Sequence, residues 1–208
     1  FARYYLRVVS LMAWISTPVF GFLFVAAGPV IAMALGHQWG EAAPVFQILV
    51  ISALGQLLFE STIWLFIGRG QSARLFKLLL VMSPIMIGSF AIGLPFGIKG
   101  VALSGSLVLV GILPWVLKFA FRGTALTLER LGQALLYPVL TCLGGIAAGE
   151  LALHLVAPQT IFSQLAVSGL GFGLAYALAA LSPPIRQEVM SFRQLLGEFR
   201  LRRSPLQT

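Results

Sequence analysis

Residues 42–67 constrain the fold most, because this run is apolar along its whole length and carries one ionisable side chain, Glu60. As a helix the run would reach about 39 Å, enough to cross a bilayer with some tilt. A carboxylate in hydrocarbon is costly, so we expect it to face the bundle interior or a wet cavity. Four side chains at i+4 spacing predict one polar stripe on this helix: Ser52, Gln56, Glu60 and Trp64. The run therefore favours a bundle built around a transport path over a passive anchor.

The composition indicates a membrane protein. Only 10% of the 208 residues are charged and 59% are hydrophobic, whereas soluble domains carry about 25% charged residues. The single cysteine, Cys142, excludes an intrachain disulfide and a cysteine-based metal site. We expect no cofactor, no metal and no enzymatic activity, and we interpret the net charge of +8 as membrane topology and not as nucleic-acid binding.

Six apolar runs predict an all-α, polytopic membrane protein with a six-helix transmembrane bundle. The first run contains Pro18 and is expected to break at Gly28-Pro29 into a membrane helix and a short outer segment. The predicted spans are residues 8–35, 42–67, 73–94, 100–121, 131–156 and 161–181. They divide the chain into a transmembrane lobe, residues 1–181, and a cytoplasmic tail, residues 182–208.

The basic residues predict the orientation. If the chain starts in the cytoplasm, every lysine and arginine except Lys99 falls on the cytoplasmic side of the six spans. Such an asymmetry places both termini in the cytoplasm. In the tail, residues 185–201 carry apolar side chains at helical spacing and basic ones opposite, which predicts an amphipathic helix on the inner leaflet. The alternative for this segment is a solvated, frayed tail.

The polar stripe supplies the first candidate binding residues. Glu60, with Gln56 and Ser52, is interpreted as binding a proton or cation, or as hydrogen-bonding sugar hydroxyls in a central cavity. The alternative is that Glu60 is held by Gln56 or by a neighbouring helix and only fixes packing. Glu150 and His154 lie four residues apart and are a weaker hypothesis for proton transfer, since they can equally face water at a helix end.

Basic side chains supply the second set of candidates. Lys77, Lys118 and Arg122 lie at the cytoplasmic ends of the third and fourth spans, where they could grip a phosphate group. The alternative is that they set the topology and reach lipid headgroups with no ligand. Two small-residue pairs, Gly145/Gly149 and Gly169/Gly173, predict close packing of the last two helices.

Three segments together resemble a known family: residues 35–54, 65–77 and 93–107. The Gly-Leu-Pro-Phe-Gly-Ile-x-Gly-Val-Ala run at 93–102 is the most specific part, and Trp39-x-x-Ala42-x-Pro44 supports it. Residues 1–180 are similar to the oligosaccharide flippases of bacterial polysaccharide export, the O-antigen and exopolysaccharide branch of the superfamily that also holds the multidrug extruders. Glu60 departs from the small polar residues usual there.

The resemblance implies two six-helix lobes facing each other across a central cavity, of which this chain matches the C-terminal lobe. Because the chain begins with Phe1, we expect a piece of a longer protein. The implied function is translocation of undecaprenyl-pyrophosphate-linked oligosaccharide across the bacterial cytoplasmic (inner) membrane by alternating access. The implied partners are this cargo, the N-terminal lobe and membrane lipids. Two alternatives stay open, a small-molecule or multidrug extruder of the same superfamily and a non-transporting membrane scaffold of a polysaccharide-assembly complex.

Overall fold

The protein is all-α in its computed structural model, which describes residues 2–180; no β-strand occurs among them. Six long helices and one short helix follow one another with short connections. Their bounds are α1 Ala2–Val25, α2 Ala27–Leu35, α3 Ala42–Gly68, α4 Ser72–Gly93, α5 Gly97–Phe121, α6 Leu128–Val156 and α7 Ile161–Ala180. The predicted fold class is therefore confirmed.

Six helices long and apolar enough to cross a membrane are present in the described part of the chain, in agreement with the prediction. Five helical stretches in the described part are long and apolar enough to cross a membrane. The longest, Ser72–Phe121, would extend about 75 Å if straight, against about 30 Å of hydrocarbon. It turns back through a 3₁₀ turn at Leu94–Phe96, followed by Gly97 at φ +72°. The two arms pack together, since a Cβ added at Gly105 would lie 2.6 Å from the Phe90 ring.

The long helices form two groups of three. In the α1–α6–α7 group, α6 packs closely against both α1 and α7. In the α3–α4–α5 group, α5 packs closely against both α3 and α4. Contacts between α1 and α3 join the two groups. A buried apolar cluster spans this joint at the end of the bundle where the chain starts, and it includes Tyr5, Val9, Leu65, Phe66, Val116, Leu117 and Phe121.

The break in the first apolar run is displaced from the predicted Gly28-Pro29. Only Ala26 separates α1 from α2. Pro29 has no N–H to donate to the Val25 carbonyl, four residues earlier, so helical bonding fails one turn before the proline. Hydrogen bonds continue on both sides, from the Ala26 N–H at 2.8 Å and to the Ala26 carbonyl at 2.9 Å. The feature is therefore a kink and not a loop.

Two of the proline kinks are capped by a neighbouring helix. Pro18 in α1 frees the Trp14 carbonyl, because proline has no N–H to donate four residues back. The hydroxyl of Tyr176 in α7 donates to this carbonyl at 3.1 Å. Pro138 in α6 similarly frees the carbonyl of Ala134, which accepts from the Ser10 hydroxyl in α1 at 3.4 Å. Both caps hold the α1–α6–α7 group together. In hydrocarbon, which offers no water, a freed backbone carbonyl needs such a hydrogen-bond donor within the bundle.

The prolines of the α3–α4–α5 group have no such cap. Pro84 in α4 and Pro114 in α5 free the carbonyls of Leu80 and Val110. No side chain within residues 2–180 donates a hydrogen bond to either carbonyl. The kinks of α4 and α5 are therefore held by packing alone.

The glycine prediction for α6 and α7 is correct in part. Cβ atoms added at Gly145 and Gly149 would lie 2.7 Å from the Phe172 ring and 3.1 Å from Val25. Gly173, however, meets nothing within 4 Å, so its predicted packing role is wrong. Gly171 takes that role against α6 instead. The phase of the helix decides this, because a shift of two residues moves a side chain by about 200° around the axis.

Two predictions fall outside the described residues. One is the amphipathic helix at residues 185–201, and the other is the boundary between the lobe and the tail at residues 181 and 182.

Candidate functional site

The polar stripe of α3 lines one wall of an open cleft. The helix begins just before Pro44, which is tolerated in a first turn, and it ends before Gly70 at φ +63°. The cleft has a volume of about 510 Å³ and also receives side chains from α1 and α5. Its lining includes Ser52, Gln56, Glu60, Ser61 and Trp64 of α3, Met12 and Phe20 of α1, and Leu109 of α5. We call it the polar cleft.

Gln56 and Glu60 are linked within the polar cleft. The Gln56 amide donates to Oε1 of Glu60 at 2.9 Å, and both side chains are exposed. The i+4 spacing on one helix face produces this bond, so Glu60 is held by Gln56, which the sequence analysis gave as the alternative to a binding role. Ser52 differs from them, since it is buried and its hydroxyl donates to its own helix, to the Leu49 carbonyl at 2.9 Å. The two longer side chains therefore present the polar surface of this cleft.

A buried hydroxyl pair fixes α1 against α3 beside Glu60. Ser61 donates to the Leu58 carbonyl at 2.7 Å, and its oxygen lies 2.8 Å from the Tyr5 hydroxyl. Since serine has one hydroxyl proton, the Tyr5 hydroxyl must donate to Ser61. The contact positions the α1 wall of the polar cleft. The sequence analysis missed Ser61, although it directly follows the acid on which the prediction rested.

A second cleft continues from the first along α3. It has a volume of about 580 Å³ and lies between α3, α4 and α5. Three residues line both clefts: Leu49, Ser52 and Leu109. The rest of its lining is apolar except for Ser106, whose buried hydroxyl has no hydrogen-bond partner among residues 2–180. We call it the apolar cleft. It could not be predicted from the sequence, since its apolar lining residues look like any lipid-facing residue.

The basic candidates lie at the end of the bundle where α3 and α5 end and α4 begins. Lys77, Lys118 and Arg122 are all exposed there. Arg122 directly follows the end of α5, with its guanidinium 5.8 Å from the centre of the Phe119 ring. The three side chains make no hydrogen bond or ion pair with one another, but the antiparallel packing of α4 on α5 brings them to one end of the bundle.

Arg69 is a further basic residue at this end, which the sequence analysis used only for topology. Its guanidinium donates to the Arg122 carbonyl at 3.4 Å and to the Gly123 carbonyl at 3.3 Å. These bonds join the loop after α3 to the loop after α5. The cation therefore satisfies carbonyls at a helix C-terminus, where its charge is favourable. Its position between Gly68 and Gly70 marks a tight turn but does not reveal this partner.

The other acid–base pair is placed apart from both clefts. Glu150 is half-buried and His154 is exposed on α6, and neither lines the polar or the apolar cleft. The structure thus brings together Ser52, Gln56 and Glu60, and it leaves Glu150 and His154 outside that site.

Comparison with known proteins gives one match. Residues 1–44 match a family model described as "Polysaccharide biosynthesis protein". The match covers α1, α2 and the start of α3, so it includes Trp39-x-x-Ala42-x-Pro44 but not residues 93–102. No curated protein and no solved structure matches the chain. The match supports a polysaccharide-related role for this multi-pass membrane protein.

Proposed function

We propose that the chain is one six-helix lobe of a transporter that moves a lipid-linked oligosaccharide from the inner to the outer leaflet by alternating access. The observation that carries this proposal is the open polar cleft along α3, where Gln56 and Glu60 interrupt an otherwise apolar span. The match of residues 1–44 to a polysaccharide-biosynthesis family supports a sugar cargo. In this proposal the membrane is the bacterial cytoplasmic membrane.

The polar cleft offers the hydrogen-bonding groups that a sugar requires. A carboxylate accepts hydrogen bonds at both oxygens, and a side-chain amide both donates and accepts. Glu60 accepts one bond from Gln56 through Oε1, which leaves Oε2 and the Gln56 carbonyl oxygen for cargo hydroxyls. Bonds to an ionised acceptor are stronger than neutral ones. Glu60 and Gln56 would thus bind the saccharide, and Ser52 would lie near the end of the polar cleft that is farther from Trp64.

The basic end offers the groups that a pyrophosphate requires. Lys77, Lys118 and Arg122 are exposed cations, and ammonium and guanidinium groups bind phosphate oxygens through charge-assisted hydrogen bonds. In the proposed orientation this end faces the cytoplasm, where the cargo is loaded. The three residues would therefore hold the pyrophosphate while the saccharide enters the polar cleft.

A second lobe would complete the site. The polar cleft is open, and Trp64 on its rim is 71% exposed. The proposed partner is the N-terminal lobe of the same transporter, which would face this cleft, while membrane lipids cover the outer helix faces. Both termini would lie in the cytoplasm. The proposed activity is transport without chemical conversion of the cargo, so it requires no cofactor, metal or nucleic acid.

The proposal is tested by replacing Glu60 in the full-length transporter and measuring flipping of lipid-linked oligosaccharide in vesicles. Glu60→Gln is expected to lower the rate about tenfold or more, because a hydrogen bond to a charged acceptor contributes about 1.5–3 kcal/mol. Glu150→Gln is the matched control, an acid-to-amide change outside both clefts, and is expected to retain the rate. An unchanged rate in Glu60→Gln would favour the non-transporting scaffold.

The half-transporter proposal has a separate test. The chain expressed without its partner lobe is expected to show no flipping above empty vesicles, since the polar cleft is open on one side. Robust flipping by this lobe alone would refute it.

A small-molecule extruder is the second candidate, and the walls of the polar cleft favour it over the scaffold. Trp64, Met12 and Phe20 line the same cleft as Glu60 and provide aromatic and polarisable groups, which suit a lipophilic cation. An efflux assay with such a cation separates the candidates. Export of the cation without flipping of the lipid-linked sugar would replace the first proposal with this one.

A further inference from the structure

The two clefts are continuous, and their chemistry changes along α3. Their shared lining residues, Leu49, Ser52 and Leu109, form the junction. From Ser52 to Trp64 the polar cleft extends about 18 Å along the helix, and from Ser52 to Val45 the apolar cleft extends about 10 Å in the other direction. A cleft that carries Gln56 and Glu60 and a cleft that carries no ionisable side chain thus meet end to end on one face of α3.

We propose that the apolar cleft between α3, α4 and α5 holds the hydrocarbon chain of the lipid-linked cargo while the polar cleft holds its headgroup. This inference rests on the proposed function and adds a second contact surface to it. Continuity with the polar cleft identifies the occupant, because a molecule that fills both clefts must be polar at one end and apolar at the other. A saccharide alone or a small cation would leave the apolar cleft unused.

The direction of the clefts fits the loading of such a lipid. The apolar cleft extends towards the turn between α4 and α5, where its lining includes Leu94, Gly97 and Ile98. This turn carries Lys99, the one basic residue that the topology places on the outer side. A lipid whose headgroup enters from the cytoplasm would therefore point its chain into the apolar cleft.

Ser106 places a hydroxyl in the apolar cleft. Such a polar group could indicate a polar ligand in place of a hydrocarbon chain. Its oxygen is buried without a partner, but a helical serine can rotate to donate to a carbonyl of its own helix, as Ser104 does to the Val101 carbonyl at 3.1 Å. A hydrocarbon occupant requires nothing from Ser106. A polar occupant would require it.

Photocrosslinking tests the inference. The probe is an isoprenoid pyrophosphate with a diazirine in its chain, added to the full-length transporter in vesicles of phosphatidylethanolamine and phosphatidylglycerol. Mass spectrometry is expected to place the adducts on cleft residues Met86, Val101 and Ala102, and excess unlabelled isoprenoid pyrophosphate is expected to remove them. Equal labelling of Leu103 and Leu107 on the exposed side of α5, or equal labelling of the cleft by a diazirine phosphatidylglycerol, would overturn the proposal.

Two neighbouring substitutions provide a matched pair. Ala102→Trp fills the apolar cleft and is expected to lower its labelling about tenfold, because the added ring overfills the space that the chain would occupy. Leu103→Trp adds the same ring at a residue that lines neither cleft and is expected to leave the labelling unchanged. Ala102→Leu serves if the larger ring prevents folding, and size-exclusion chromatography checks each variant. Full labelling in a folded Ala102→Trp protein would contradict the inference.

Different results would refute the binding of the lipid chain in the apolar cleft and the proposed transport function. Loss of cleft labelling in Ser106→Ala would identify a polar occupant and overturn the hydrocarbon assignment. Normal flipping with the chain crosslinked elsewhere would refute the apolar cleft and leave the transporter standing. Specific cleft labelling without flipping would retain lipid binding and refute transport.

Discussion

Both three-helix groups of this bundle contain helices with an internal proline, but they differ in how the carbonyls freed by these prolines are hydrogen-bonded. In the α1–α6–α7 group, the carbonyls freed by Pro18 and Pro138 accept hydrogen bonds from hydroxyls of a neighbouring helix. In the α3–α4–α5 group, the carbonyls freed by Pro84 and Pro114 receive none from the described residues. The first group also has an interhelical bond from the Cys142 thiol to the Thr17 carbonyl at 3.2 Å.

In α4 and α5, three serine hydroxyls bond within their own helices, whereas Ser61 of α3 is bonded to Tyr5 of α1. Ser83, Ser89 and Ser104 donate to carbonyls three or four residues earlier, and they link no helices to one another. Both clefts are lined mainly by this group. The difference indicates a frame, α1–α6–α7, cross-linked at its proline kinks, beside an α3–α4–α5 group whose proline kinks receive no side-chain hydrogen bond from the described residues. The proposed alternating access requires a part that stays and a part that moves, and we expect the frame to stay and the α3–α4–α5 group to move.

The largest expected effect is on the tight packing of the frame. Gly145→Leu is expected to cost about 3 kcal/mol, because the new side chain would overlap the Phe172 ring. Gly144→Leu is the adjacent control, since a Cβ there meets nothing within 4 Å. Thermal unfolding in detergent, followed by size-exclusion chromatography, measures both. Equal melting temperatures for the two variants would show that α6 and α7 are not closely packed.

A smaller effect is expected from removal of a proline cap. Tyr176→Phe removes the bond to the Trp14 carbonyl and the 3.3 Å contact with the Thr17 hydroxyl, and keeps the aromatic ring. We expect a loss of about 1 kcal/mol, in line with interhelical hydrogen bonds in membrane proteins. Tyr137→Phe makes the same change on an exposed ring and should leave the melting temperature as it is. If both variants lose the same amount, the cap contributes nothing.

The smallest expected effect comes from restoring backbone hydrogen bonds. Pro84→Ala provides an N–H for the uncapped Leu80 carbonyl and is expected to stabilise the protein by about 0.5 kcal/mol. Pro18→Ala is expected to gain less, because the Trp14 carbonyl already accepts from Tyr176. The two melting temperatures, compared with wild type, give the order. A larger gain in Pro18→Ala would reverse the assignment of frame and mobile group.

The helices were predicted well from the sequence, because the residues that begin and end a helix lie close to it in the chain. Residues 42–67 were predicted as one span, and α3 is Ala42–Gly68, since Pro44 and Gly70 mark its ends. The polar stripe followed from i+4 spacing on that helix. The hydrogen bonds to the Trp14 and Ala134 carbonyls could not be predicted from local patterns, because the donor to Trp14 lies 162 residues away in the chain. The apolar cleft was equally hidden, since packing alone decides which apolar residues face it.

Water access to the polar cleft tests the central claim most directly. The native Cys142 is buried, so the background of thiol labelling is low. In the full-length protein, Gln56→Cys is expected to react with a membrane-impermeant maleimide and to be protected by lipid-linked oligosaccharide. Leu80→Cys, at an apolar residue that is 63% exposed on α4, is expected to stay unlabelled within the bilayer. If Gln56→Cys reacts no faster than Leu80→Cys, the stripe faces lipid and the account is contradicted.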